Sequence, residues 1–339
     1  MPRENVIRMA HGAGGKMMND LIREVFATPL DNAYLRQMAD SAVVPAGERN
    51  PRFAMSTDSF TVRPLIFPGG DIGSLAIHGT VNDVAMSGAR PLWLTAGFIL
   101  EEGLPMDTLE QVVRSMARAA EEAGVQVVAG DTKVVERGHG DGIYINTAGL
   151  GAVPEGRNIG PDQARPGDVV LISGTLGDHG IAVLSKREGL TFETDLVSDS
   201  AALNGLIEAL LTAAPNVHCL RDPTRGGLAA ALNELAGSSS IGIEIEESAV
   251  PIRAPVAAAC EMMGFDPFTV ANEGKVVVFV PREAAEAALE ALRTHPLGVD
   301  AARIGLVTAD HPGMVLARTG IGGRRVLDMP LGELLPRIC

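Results

Sequence analysis

Residues 151–167 carry several glycines and prolines and almost no apolar periodicity, and this interruption constrains the fold more than any other stretch. On both sides of it, strand-like and helix-like patterns alternate. Upstream, residues 53–61 alternate as a half-buried strand does. Residues 71–87 form a helical pattern rich in small residues, and 92–100 and 143–150 read as strands. Residues 125–128 are expected to be a short buried strand. Asp107 and Glu110 form an N-cap pair. Behind them Leu109, Val112, Val113, Met116 and Ala120 share one helical face, which Gly124 ends. Downstream, a strand at 168–172 leads into Ser173-Gly-Thr-Leu-Gly-Asp178 and a helix. Helices follow near 201–213, 225–236, 253–263 and 282–293, and strands near 241–246, 275–280, 302–307 and 313–318. A chain of 339 residues can bury two substantial cores. The expected architecture is two α+β domains at 43–152 and 165–328. A flexible glycine-rich segment at 1–42 precedes them, and a mobile tail at 329–339, ending in Cys339, follows.

Charge limits what such a chain can bind. Asp and Glu outnumber Lys and Arg by 42 to 28, for a formal net charge of -14. That surface repels nucleic acid, and aromatic residues at 4% leave few stacking platforms for single strands. It also repels a nucleoside triphosphate, so binding one requires divalent metal and local cations. No apolar run approaches the ~18 residues of a membrane span. Residues 1–16 lack the apolar centre of a signal peptide, so the cytoplasm is the expected compartment. Three cysteines, Cys219, Cys260 and Cys339, with no C-x-x-C pair, argue against a disulfide framework or a structural zinc site.

Four aspartates stand beside small residues where the surrounding pattern predicts burial: Asp58, Asp83, Asp131 and Asp222. Each alone could equally cap a helix or form a turn. Burying a lone carboxylate costs several kcal/mol unless it is paired or binds metal, so four together point to one shared cation site. Mg²⁺ suits it, preferring oxygen ligands and bridging phosphates. The segment His11-Gly-Ala-Gly-Gly-Lys16 could wrap N–H groups around phosphates, although by itself it reads more readily as a mobile terminus. Thr224-Arg225-Gly226-Gly227, at a helix start, is the better anion cradle. Glu273 precedes the apolar strand 276–280 and is either a turn residue or a base with a tuned pKa. Lys133 follows Asp131 by two positions. The terminal thiol of Cys339 can reach several sites if the tail moves, whereas Cys260, after an alanine run, reads as core packing.

Taken together, these residues resemble the HypE family of hydrogenase maturation factors, within the superfamily of aminoimidazole ribonucleotide synthetase and selenophosphate synthetase. The resemblance spans nearly the whole chain. It includes the early His11-Gly-Ala-Gly-Gly-Lys16, Thr57-Asp-Ser-Phe60, Phe67-Pro-Gly-Gly-Asp-Ile-Gly73, His78-Gly-Thr-Val-Asn-Asp83, Ala129-Gly-Asp-Thr-Lys133, Asp222-Pro-Thr-Arg-Gly-Gly227 and Asn272-Glu-Gly-Lys275. The ending Pro336-Arg-Ile-Cys339 is the most specific part, because the related synthetases share the Asp and Gly motifs without this cysteine.

The resemblance implies a two-domain aminoimidazole ribonucleotide synthetase-like α+β fold, with a C-terminal α/β sandwich domain. The N-terminal domain would pair across a homodimer, with nucleotide at that interface. ATP and Mg²⁺ are the implied cofactors. A HypF-like carbamoyltransferase would load a carbamoyl group on Cys339. The chain would then dehydrate this thiocarboxamide to a thiocyanate. The cyanide would pass to iron on a HypC–HypD-like complex, for the nickel–iron hydrogenase centre. In this scheme Asp58, Asp83, Asp131 and Asp222 hold Mg²⁺ and Lys133 offsets phosphoryl charge. Glu273 is the base, with His11 as a second candidate. Gly14, Gly15, Lys16, Asn82, Thr132, Thr224, Arg225, Gly226 and Gly227 complete the nucleotide site. Two rivals stand beside it: an ATP-using relative acting on a free small molecule, and a non-catalytic carrier whose Cys339 only docks to partners.

Overall fold

A computed structural model describes residues 15–21, 23, 35–45, 52–189, 196–332, 335 and 337–339. The first unit contains α1 (Lys16–Leu21), β1 (Ala42–Pro45), β2 (Arg52–Phe60), β3 (Ile66–Phe67), β4 (Gly70–Asp71) and α2 (Ile72–Met86). It continues with β5 (Arg90–Glu101), α3 (Met106–Ala123), β6 (Gln126–Val135) and β7 (Ile143–Val153). Its five-stranded sheet has the order β1-β2-β7-β5-β6, antiparallel except for the β5–β6 pair. Helices α2 and α3 cover one face and enclose a core with Phe60, Ile72, Leu75, Leu94 and Ile145.

The second unit runs through β8 (Val169–Ile172), α4 (Asp178–Glu188), α5 (Asn204–Ala213), β9 (Cys219–Arg221), α6 (Gly227–Ser239), β10 (Gly242–Glu246) and α7 (Ala254–Met263). It ends with β11 (Val277–Val280), α8 (Ala285–Thr294), β12 (Ala302–Thr308), β13 (Val315–Arg318) and β14 (Arg324–Val326). The seven-stranded sheet has the order β14-β13-β10-β12-β8-β11-β9. Its central strands β8 and β11 are buried at every residue, because one apolar core lies on each face, with Leu228 and Leu232 of α6 in one and Leu206 and Leu292 of α5 and α8 in the other.

Local cues placed most of these elements. Asp71 caps α2, its side chain accepting from the backbone N–H groups of Gly73 (2.9 Å) and Ser74 (3.0 Å). Helix α2 is buried almost all round, since it lies between the first sheet and the second unit; Ala85 and Met86 join the core of the latter.

Three expectations are corrected. Helix α3 begins after Pro105 with no side-chain cap, and Asp107 lies inside its first turn, accepting only from Thr108 N–H at 2.8 Å. Of the stretch at 125–128 only Val125 is buried, and it precedes the strand; 126–128 open β6, a ten-residue edge strand exposed along nearly its whole length, with Val127, Val128 and Val134 facing outward. Val127 and Val128, which read as core residues, belong instead to the exposed edge of the sheet. The tail does not stand off the protein: Ile338 is 3% exposed and joins the first unit's core.

Candidate functional site

Four aspartates converge near the junction of the two units. Asp40 precedes β1, Asp58 lies near the end of β2, Asp83 is on α2 and Asp222 follows β9. Asp40, Asp83 and Asp222 each offer one oxygen, all within 4.8 Å of one another. Ser56 donates to Asp83 at 2.6 Å, and Arg221 pairs with both Asp40 and Glu234. Burial raises the pKa of every one of these carboxyls. Asp58, Asp222 and Asp40 push Asp83 further up, and Asp222 reaches about 8. Arg221 partly offsets the rise at Asp40, and Arg225 that at Asp58. The cluster is therefore short of positive charge and its donors are all oxygen, which fits a hard divalent cation such as Mg²⁺.

Asp40 escaped the sequence reading. Its only signal was a carboxylate directly ahead of the apolar run at 42–44, and what brings it in is its ion pair with Arg221, 181 positions away in sequence by the difference of their numbers. Asp131 moves the other way. It lies on exposed β6 with Thr132 and Lys133, outside the cluster of its own chain, and both its oxygens accept from Lys133 Nζ at 2.7 and 2.6 Å.

A cleft of ≈ 580 Å³ adjoins the cluster, a size within the usual range for ligand sites. Asp58, Asp83, Asp222, Thr224, Arg225 and Gly227 line it. The turn 224–227 needs its glycines: Gly226 has φ +80° and Gly227 +62°, and a side chain on Gly227 would run into the carbonyls of Phe268 and Val270. This turn opens α6 and holds Arg225 beside the carboxylates. Arg225 remains charged, since Cys339, Asp58, Glu273 and Asp83 all favour its cationic form.

Other expected nucleotide contacts fall differently. His11 and Gly14 lie outside the described residues. Gly15 packs against Pro330, whose carbonyl accepts from Lys16 N–H at 2.9 Å. The Lys16 ammonium is exposed and pairs with Asp20, so it does not reach the cleft; Asn19 and Arg23 line it instead. Asn82 is wholly engaged in the protein. Its amide donates to the carbonyls of Ala201 (3.0 Å) and Glu273 (3.2 Å), and its oxygen accepts from Leu203 N–H at 2.7 Å. It positions Glu273 rather than a nucleotide. An Asn within an apolar helix reads the same from sequence whether it faces a ligand or a neighbouring loop.

Glu273 is 4% exposed, and among the described residues its Oε1 has no hydrogen-bond partner. Burial, then Asp222, Asp199 and Asp58, hold its carboxyl well above the usual range. Its backbone is fixed from both sides: N–H donates to Asp199 at 3.0 Å, and the carbonyl accepts from Asn82. Gly274 follows because a side chain there would strike the Asp199 carbonyl.

The chain terminus reaches this same place. Thr61 N–H donates to the backbone oxygen of Cys339 at 3.0 Å, Arg63 N–H to the Arg337 carbonyl at 3.1 Å, and Arg337 pairs with Asp141. The charged groups acting on the Cys339 thiol are Arg225, Glu273, Asp58 and Asp222, and burial pushes its pKa up to about 12. Cys219 and Cys260 are buried in the second unit, as core residues.

Residues 38–153 match the N-terminal domain of AIR synthase related proteins, and 165–316 match their C-terminal domain. The carbamoyl dehydratase HypE of Azotobacter vinelandii is 56% identical over 339 residues, covering 99% of this chain and 98% of that protein. A crystal structure of a HypE in complex with ATP superposes with a TM-score of 0.83 at 51% identity, over 97% of this chain and 98% of that one. A HypE–HypF complex contains a chain that superposes with a TM-score of 0.87 at 53% identity, over 91% of this chain and 99% of that one.

Proposed function

Because the chain belongs to the AIR synthase related family, and within it to the carbamoyl dehydratase HypE family, we propose that it uses ATP to dehydrate a carbamoyl group carried on Cys339. The thiocarboxamide becomes a thiocyanate, ATP becomes ADP and phosphate, and the cyanide is destined for the iron of a nickel–iron hydrogenase. The observation that carries this reading is the terminal thiol docked within the field of Arg225, Glu273, Asp58 and Asp222.

The chemistry follows from the groups present. A carboxamide oxygen leaves poorly, and phosphorylation turns it into phosphate, a good leaving group. Phosphoryl transfer depends mainly on positioning and charge neutralisation. Asp40, Asp83 and Asp222, with Asp58 beside them, would hold Mg²⁺, which neutralises phosphate charge when bound. Arg225 faces the same oxygens. Glu273, with a buried oxygen that has no hydrogen-bond partner among the described residues, takes a proton from nitrogen as the carbon–oxygen bond breaks. One N–H proton passes to water as the amide oxygen takes the phosphoryl group, the second goes to Glu273, the oxygen leaves within phosphate, and sulfur retains C≡N.

The docked thiol is too weakly acidic to be a nucleophile at neutral pH. This favours loading by a HypF-like carbamoyltransferase with the tail released, and docking afterwards. The exposed edge β6 fits a homodimer in which a second copy covers Val127, Val128 and Val134 and brings its own Asp131, Thr132 and Lys133 to the nucleotide. Delivery of cyanide would be to a HypC–HypD-like iron complex, in the cytoplasm. The test is intact-mass analysis of the carbamoylated protein with Mg-ATP. The terminal peptide loses the mass of one water while ADP forms. An unchanged peptide mass refutes the dehydratase reading.

A further inference from the structure

Leu176-Gly-Asp-His179 opens α4, and the reaction above leaves His179 unused. The ring is fully buried. Nε2 lies 2.8 Å from the Ile338 carbonyl and Nδ1 lies 2.8 Å from Ser198 Oγ. A carbonyl only accepts, so Nε2 carries the hydrogen. Burial lowers the ring's pKa, leaving Nδ1 bare, and Ser198 donates its hydroxyl to it. Ser198 Oγ in turn accepts the N–H of Ser200 at 3.0 Å. Phe67 packs against the imidazole edge-on, with ring centres 5.5 Å apart. Tautomer, rotation and position of the imidazole are thus all set by its neighbours.

We infer that His179 is a positioning residue for the carrier sulfur, its Nε2–H holding the peptide just before Cys339 so that the loaded group meets the nucleotide. This rests on the carrier role proposed above. Other ties hold the residues on either side: Thr61 N–H and Oγ1 donate to Cys339, Arg63 N–H and the Arg187 guanidinium donate to the Arg337 carbonyl, and Arg337 donates to the Thr61 carbonyl and pairs with Asp141. The His179 contact fixes the last peptide through a side chain whose own orientation is locked. Displacement of a reacting group by about 1 Å can cost on the order of 10²-fold in rate.

The test uses the full chain with His179→Phe, which keeps the ring and its contact with Phe67 but removes the donor. His179→Gln, whose amide N–H can reach the same carbonyl, is the rescue variant. Iodoacetamide labelling is read at each cysteine by peptide mass, alongside ATP affinity and single-turnover dehydration of the carbamoylated protein. The Phe variant is expected to label Cys339 about tenfold faster, the factor lost with one hydrogen bond of about 1.4 kcal/mol. Buried Cys219 and Cys260 should label as in the unaltered protein, and ATP affinity should hold. Dehydration should slow at least tenfold, and Gln should restore both labelling and rate. Unchanged Cys339 labelling in the Phe variant overturns the inference. So does labelling of Cys219 and Cys260 that rises in step, or a Gln variant as impaired as Phe, since either marks a merely structural role. If labelling responds as expected but the unaltered protein performs no dehydration, the latch stands and the proposed reaction fails.

Discussion

Replacing His78 by Asn should remove a defined part of the protein's sensitivity to acid. His78 lies on α2, is 8% exposed, and places Nδ1 2.9 Å from Ser200 Oγ. Burial lowers its pKa from 6.5 to about 4. Below pH 6.5 the unfolded chain therefore takes up a proton that the folded chain refuses. This part of the stability is complete above the unfolded value and is lost as pH falls towards the folded one. At about 1.36 kcal/mol per pH unit, the loss is about 2 kcal/mol at pH 5 and about 3 kcal/mol at pH 4. Asn does not titrate and can still pair with Ser200. Urea unfolding followed by circular dichroism at pH 8, 6.5 and 5, with EDTA and without nucleotide, gives both stabilities. The raised carboxyls of the aspartate cluster shift stability the opposite way, but equally in both proteins, so the difference isolates His78. The unaltered protein should be the more stable at pH 8, and its advantage should shrink by about 2 kcal/mol by pH 5. A gap that stays constant across this range refutes the assignment of the proton to His78.

Two further outcomes test the site. Glu273→Gln should leave ATP binding intact and slow dehydration by about 10²–10⁴-fold, the usual worth of a positioned base. Because the Glu273 carboxyl titrates well above its ordinary value, the unaltered rate should climb with pH more steeply than the variant's low rate, which keeps only the pH dependence of Asp222 and its neighbours; collapse of ATP binding instead would place Glu273 in the nucleotide shell. Val128→Lys with Val134→Lys on the β6 edge should give monomers by analytical ultracentrifugation and abolish dehydration, because in the proposed homodimer Asp131 and Lys133 would no longer reach a second copy. A monomeric variant with full rate would exclude a cross-subunit site.

Much of the molecule was legible from local pattern. The helical run at 71–87 became α2 between the Asp71 cap and Ser87, whereas residues 151–153 of the expected break belong to β7 and pair with β2. The cysteine's place at the chain end was legible too, because it needed no knowledge of neighbours. Periodicity, caps and turn residues act within a few positions, so a sequence carries them directly. The three-residue strands β9 and β14 were too short to show a period.

Long-range pairing decided the rest. Asp40 joins the carboxylates only because Arg221 lies across from it, and Asn82 spends its amide on Ala201, Leu203 and Glu273. The valines of β6 look like core residues until the sheet order leaves them on an edge. The tail reads as an appendage until Ile338 enters the first unit's core and His179 meets its carbonyl. Composition and spacing state what each side chain is able to do. Which partner it finds, and whether water reaches it, depends on segments hundreds of residues apart being packed together, and only the folded chain specifies that.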